Sequence, residues 1–227
     1  MGCVLKGGGG LHARVRIGAV LLAAGEGRRL GGMAKAAIEM QGVPLLRRAL
    51  FGLSGAGIDE VVVVLGYEAD LLQAMVQDFP VTVVRNEDYQ RGQMSSVQLG
   101  LENLSGKFDA VLICLADQPL LNSHDLTALI SAFKKRSSGS VVVPRVNGQR
   151  GNPIIMDWAA RSEILAGEKN LGCRKYIESN PDMVSVFETD NDHFIVDMDT
   201  PEDIERLEKR LGLTLKLPHP VNAEFSV

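Results

Sequence analysis

The chain is most constrained by the regular alternation of short, unbroken aliphatic runs with longer segments of helical period. The runs are Ala19–Ala23, Glu60–Leu65, Val81–Val84, Ala110–Leu115 and Ser140–Val143, and between them lie helical patterns at 43–56, 68–78, 94–104 and 122–136. Runs of Val, Ile and Leu without polar alternation mark strands covered on both faces, and strands separated by helices form βαβ units. The pattern therefore predicts a three-layer α/β/α domain around a mostly parallel sheet. Asn122 with Asp125 three residues on, and Thr200 before Pro201, are helix-start signals. Ile204, Leu207 and Leu211 mark the buried face of a last helix, after which Leu217-Pro-His-Pro220 breaks further helix. No repeat or linker divides the chain, so one domain is expected over 15–212. It sits between a flexible leader (1–14, with Gly7 to Gly10 in a row) and a C-terminal tail (213–227).

A chain of 227 residues buries about 70% of its unfolded surface and needs no disulfide or metal to hold a core. The net charge of −4 argues against a nucleic-acid-binding protein. It also hides an asymmetry: residues 1–50 hold 8 Lys+Arg against 2 Asp+Glu, and the remainder 16 against 26. A small anion is thus expected near the N-terminal segment. Cys3, Cys114 and Cys173 are odd in number and without ligand spacing, which fits reduced thiols in the cytoplasm, with Cys114 a core side chain. No run approaches the ~18 apolar residues of a membrane span. Ile17–Ala24 imitates a signal peptide but is short and runs into a Gly/Arg-rich loop, so it reads as a buried first strand. Lys6 stands where a myristoylation start needs Ser or Thr.

That first strand leads into Leu22-Ala-Ala-Gly-Glu-Gly-Arg-Arg-Leu-Gly-Gly32, with Lys35 just beyond. Glycines let backbone approach a phosphate, and Arg28, Arg29 and Lys35 add the charge a triphosphate needs. Two familiar phosphate loops fail by count: Leu30 stands where a dinucleotide fingerprint needs its third glycine, and Met33 where a P-loop needs lysine. Read alone, the stretch is equally a Gly-rich surface turn with a solvated basic flank.

Together with Gly42-Val-Pro-Leu-Leu46, this opening resembles that of nucleotidyltransferases with a glycosyltransferase-A-like, Rossmann-like fold. Asn86, Gly92-Gln-Met-Ser-Ser96, Ala116-Asp-Gln-Pro119, Arg150-Gly-Asn-Pro153 and Asp197-Met-Asp-Thr-Pro-Glu-Asp203 follow in order. The whole set resembles the molybdenum-cofactor cytidylyltransferases, MobA-like NTP transferases, over roughly residues 17–212. The resemblance implies transfer of CMP from CTP to molybdopterin with release of pyrophosphate, Mg²⁺ as cofactor, and a recipient molybdoenzyme as a further partner. It implies catalytic roles for Arg28, Lys35 and Asp117. The nucleotide would be held by Leu22, Ala23, Ala24, Gly25, Gly27, Arg28, Lys35, Asn86, Ser95 and Ser96.

Asp117, at a strand end, can hold Mg²⁺, which commonly takes one or two protein carboxylates; alone it also suits an Asx turn before Pro119. Asp199 is the favoured second ligand and Asp197 the further candidate, both on one face if the segment is extended. Asn86 equally suits a turn, and Ser95 and Ser96 helix caps. Ala23 and Ala24 stand where guanylyl-transferring cousins carry Gly-Gly, and their methyls disfavour a purine, by a margin on the order of 1–3 kcal/mol. Arg150, Asn152 and Arg174 are the acceptor-binding candidates; Asn152 stands where relatives often show His, and a surface role also accounts for Arg174. Trp158, Tyr176 and Phe194 are the aromatics expected to bury the pterin. Rival readings are guanylyl transfer to the same cofactor, transfer to a sugar or polyol phosphate, and a non-catalytic chaperone of a nucleotide-bearing cofactor.

Overall fold

The structure is a computed structural model that describes residues 14–166 and 173–218. Its core is one sheet built from β1 (Ile17–Ala23), β4 (Glu60–Leu65), β5 (Thr82–Arg85), β6 (Ala110–Leu115), β7 (Val141–Val146), β9 (Ile154–Asp157) and β10 (Val184–Glu188). A short strand, β8 (Gln149–Arg150), hairpins back onto β7, and β2 (Glu39–Met40) and β3 (Val43–Pro44) form a separate hairpin. The order across the sheet is β10-β7-β9-β6-β1-β4-β5. Along this path β9 alone is reversed: it pairs antiparallel with β6 and β7, while β1, β4, β5 and β6 form a parallel block and β10 runs parallel to β7. A three-layer, mostly parallel α/β/α domain is what the sequence pattern led us to expect.

Side-chain alternation along β1 shows why the strand has no polar residue. Ala19, Leu21 and Ala23 pack against α1 (Leu45–Gly55), α2 (Ala69–Ala74) and α4 (Ser123–Lys135) on one face. Val20 and Leu22 pack against α3 (Gln93–Glu102) and α5 (Trp158–Ala166) on the other. A helix α6 (Cys173–Ser179) borders the second face through Tyr176 and Ile177. Both capping boxes form: Asn122 with Asp125 opens α4, and Thr200 with Asp203 opens α7 (Pro201–Leu211). Gly100 brings α3 unusually close to the sheet, since a Cβ there would lie 2.2 Å from Cγ1 of Val20.

A third small core joins α7 to the β2–β3 hairpin through Ile38, Met40, Leu45, Met198, Ile204, Leu207 and Leu215. Lys216 exchanges backbone hydrogen bonds with Glu39 at 2.8 and 2.9 Å. The packed domain therefore continues past 212 to at least Lys216, further than the expected boundary, because burying Leu215 completes this core. Residues 1–13 of the expected leader and 219–227 of the tail lie outside the described residues. The elements without a sequence signal are β2 and β3, the latter inside the helix expected over 43–56, and β8 to β10, α5 and α6 in the second half of the chain.

Candidate active site

The loop after β1 is shaped by Gly27, whose φ of 61° is left-handed and whose Cβ, if it had one, would sit 2.2 Å from the carbonyl oxygen of Met33. The turn closes on the Gly27 carbonyl, which accepts from the N–H groups of Leu30 (2.8 Å) and Gly32 (3.2 Å). The Tyr67 hydroxyl donates to the Gly32 carbonyl at 2.7 Å and ties the loop down. A single 3-10 turn, Arg28–Leu30, then sends its two arginines in different directions. Arg28 pairs with Glu26 at 2.7 Å and stays exposed, whereas Arg29 reaches Asp199 at 2.5 Å.

Asp117 follows β6, on the opposite side of β1 from β4. This is the point where strand order reverses and open α/β sheets bind ligands. Its carbonyl accepts from Met198 N–H at 3.2 Å, stitching the segment before α7 to the exit of β6. Asp199 is held in place by donating its N–H to the Asp203 carboxylate at 3.1 Å. Lys35 lies between the two acids: its ammonium donates to Oδ2 of Asp117 and, at 2.7 Å, to Oδ1 of Asp199. Burial opposes the lysine's charge, but the two carboxylates outweigh it and hold its pKa above the usual value. Desolvation likewise pushes Asp199 up, and the contacts from Lys35 and Arg29 more than reverse it, leaving the carboxyl below its usual range. Asp197, exposed and separated from Asp199 by the buried Met198, is raised, by desolvation first and then by Asp199 and Asp117.

One oxygen of this cluster has no partner: Oδ1 of Asp117 is buried and makes no hydrogen bond. Among the described residues no group of three or more His, Cys, Asp or Glu side chains is arranged as a metal cage. An orphaned carboxylate oxygen beside a second carboxylate is the donor set a hard cation accepts when substrate phosphates and water complete its shell. Asp117 and Asp199 thus fit Mg²⁺, with Lys35 now occupying the space between them, and Asp197 does not complete a three-carboxylate cage with them.

Two clefts meet at this edge. The first, about 200 Å³, is lined by Leu22, Ala23, Ala24, Gly25, Lys35, Ser96 and Asp117 from the expected set, and by Ala34, Ala36, Leu72, Tyr89 and Gln93. The second, about 620 Å³, has an aliphatic floor including Met94, Val97, Ile113, Ile154 and Ile177 and a polar wall of Gln149, Arg150, Asn152 and Glu178. Gln93 and Leu115 line both. Asn86 and Ser95 line neither of these; they border a separate cleft of about 200 Å³ with Asp88, Arg91 and Gln98. Asn86 is buried, and its amide donates to Oγ of Ser95 (2.8 Å) and Ser96 (2.9 Å), bracing the start of α3. Neither serine caps that helix; Gly92 occupies the N-cap position and no side chain caps it.

Gly27 and Arg28 shape the loop without lining either cleft. Arg174 belongs to α6, with its side chain outside the described residues. The aromatics expected around an acceptor do not line the second cleft: Trp158 packs edge-on against Phe108 at 5.4 Å, Phe194 is buried against Phe187, and the Tyr176 hydroxyl donates to Glu163. Tyr89 and Gln93 line the first cleft without having been singled out in the sequence, and Arg29, expected only as part of the loop's positive charge, makes a specific contact with Asp199.

Opposed cations and carboxylates at the switch point of a parallel sheet, with a small cleft opening into a larger one, are the equipment of a nucleotidyltransferase, an enzyme for which a nucleoside triphosphate is one partner. The chain belongs to the MobA-like NTP transferase family, whose domain matches residues 19–184. It is 30% identical over 194 residues to nicotine blue oxidoreductase of Paenarthrobacter nicotinovorans, covering 83% of this chain and 94% of that protein. It is also 30% identical over 129 residues to the bifunctional protein GlmU of Acetivibrio thermocellus, covering 56% of this chain but 28% of GlmU. Among solved structures, Rv0371c of Mycobacterium tuberculosis superimposes with a TM-score of 0.75 at 25% identity, covering 86% of this chain and 98% of that one. A nucleotidyl transferase from Methanothermobacter shares the fold with a TM-score of 0.72 at 20% identity, over 86% of this chain and 97% of that one. No helix among the described residues is long and apolar enough to cross a membrane.

Proposed function

We propose that this protein is a cytoplasmic, Mg²⁺-dependent cytidylyltransferase that transfers CMP from CTP to the terminal phosphate of molybdopterin, for delivery to a recipient molybdoenzyme. The observation that carries the reading is Lys35, on the wall of the small cleft, held between Asp117 and Asp199. Triphosphate in the first cleft draws on the cations of the loop, Lys35 foremost, to offset charge on the transferring group. Asp117 and Asp199 would hold Mg²⁺, which would neutralise phosphate charge there. An acceptor phosphate oxygen then attacks the α-phosphorus, the bond to the β-phosphate oxygen breaks, and pyrophosphate departs. The buried Ala23 and Ala24 methyls narrow the first cleft and favour a pyrimidine over a purine. The second cleft supports a polar heterocyclic acceptor: aliphatic side chains cover its faces while Gln93, Gln149 and Asn152 offer amides and Arg150 a cation to its edge and its anion.

The test is a pyrophosphate-release screen of all four nucleotides with Mg²⁺ and purified molybdopterin, with product mass measured. CTP-dependent release giving the cytidylylated cofactor is expected, and Asp117→Ala should abolish it while leaving the fold intact; an unimpaired variant refutes the site. Release with a sugar or polyol phosphate, or equal turnover of GTP, reassigns acceptor or donor, and cofactor binding without release would be the chaperone outcome. The relative from P. nicotinovorans, matched along nearly its whole length, carries a second reading, in which the two clefts hold the partners of an electron transfer. A parallel arm with reduced nicotinamide dinucleotides and an N-heterocyclic dye, followed by absorbance, separates the two.

A further inference from the structure

The position of Lys35 has a consequence for the order in which the site fills, and this rests on the reading of Asp117 and Asp199 as the divalent-cation site. The side chain of Lys35 is 15% exposed and its ammonium contacts one oxygen of each carboxylate. That leaves Oδ1 of Asp117 buried without a partner and Oδ2 of Asp199 to Arg29. A small, strongly hydrated cation that needs both Asp117 and Asp199 meets an ammonium already seated between them. Lys35 also lines the nucleotide cleft, so the same side chain can leave the acids for a phosphate.

We infer that Lys35 is a resident cation that excludes the divalent metal from the Asp117–Asp199 pair until a triphosphate draws the ammonium away. Metal and triphosphate are thereby coupled: each makes room for the other, and by linkage the effect is reciprocal. Arg29 differs because it binds the outer oxygen of Asp199 alone and touches Asp117 at no point the structure shows. Its charge is the same, but its place is not.

The experiment is a Mn²⁺ titration of the whole protein followed by electron paramagnetic resonance, with and without inorganic tripolyphosphate. Native protein should bind Mn²⁺ alone weakly. Lys35→Met should bind Mn²⁺ alone about tenfold or more tightly, within the ~5–150-fold span usual for coupled sites, and should lose most of the extra tightening that tripolyphosphate gives the native protein. Arg29→Met should gain much less. A gain in Arg29→Met equal to that of Lys35→Met overturns the inference, because charge alone would then account for it. If Lys35→Met binds no tighter than native while Asp117→Asn abolishes binding in both, the metal site stands and the exclusion fails. If Asp117→Asn leaves Mn²⁺ binding intact, the carboxylate site falls and takes the exclusion with it. Thermal melts accompany each variant, and Lys35→Gln replaces Lys35→Met should the latter not fold.

Discussion

Replacing Gly100 with alanine sets two effects of opposite sign against each other, and the structure decides between them. In an isolated helix Gly→Ala stabilises by about 1 kcal/mol. In α3 the new methyl would lie 2.2 Å from Cγ1 and 3.1 Å from Cγ2 of Val20, and 3.0 Å from Cγ2 of Val64, where ordinary contact begins near 3.4 Å. Both valines are fully buried in central strands and stiff at χ1, so neither can turn aside. Overpacking of this kind costs about 1–3 kcal/mol, and a shortfall of more than an ångström belongs at or beyond the upper end. The expected net loss is about 2 kcal/mol, or roughly 4–8 °C in Tm for a chain of this length. Urea unfolding followed by circular dichroism measures it, and Val20→Ala in the same chain should recover at least ~1 kcal/mol beyond additivity by removing the opposing methyls. Because α3 carries Gln93 and Ser96 into the clefts, a shifted helix should also lower kcat. A Gly100→Ala variant as stable as the native protein, or more so, would falsify the close approach.

Opening the base cleft with Ala23→Gly and Ala24→Gly should raise the GTP-to-CTP ratio of kcat/KM by about tenfold, the low end of what one methyl-scale contact discriminates; an unchanged ratio in the pyrophosphate assay rejects the steric argument. Cys114 is buried and its thiol is pushed up to about 12 from 9.0. The unfolded chain therefore loses that proton first, and the contribution to stability falls as pH rises from about 9 to 12. Cys114→Ala should flatten the loss over that window in alkaline melts, and native Cys114 should resist alkylation until the protein unfolds.

What the sequence could reveal depended on whether the signal was local. β1, β4 and β6 are covered on both faces and announce themselves as unbroken aliphatic runs, and α4 and α7 are opened by capping boxes written within four residues. β9 is four residues long, follows a proline and runs against its neighbours, so neither its length nor its direction leaves a trace. The contacts between Lys35 and Asp117, 82 positions apart, and between Lys35 and Asp199, 164 apart, exist only after the sheet forms. Family resemblance pointed to those three residues where spacing could not. It singled out Arg28, whereas the 3-10 turn between left-handed glycines leaves Arg28 on Glu26 and carries Arg29 to Asp199. Asn86 offered a hydrogen-bonding side chain in the right order, but burial behind Ser95 and Ser96 makes it a brace.

The reversed strand β9 divides the labour of the sheet edge. Because it runs backward, its first residue, Ile154, pairs with Ile113 near the end of β6, and the preceding Arg150–Pro153 turn arrives at the edge where the parallel strands end. The polar wall of the second cleft is therefore the link between β8 and β9, two strands that run the same way beside β7, and it is joined to the rest of the sheet edge through the β6–β9 ladder and the two hydrogen bonds from the Gln118 amide, at 3.1 Å each, to the carbonyls of Asn152 and Phe194. A segment so attached can differ in sequence without disturbing the parallel strands that carry Asp117 and the Gly27 loop.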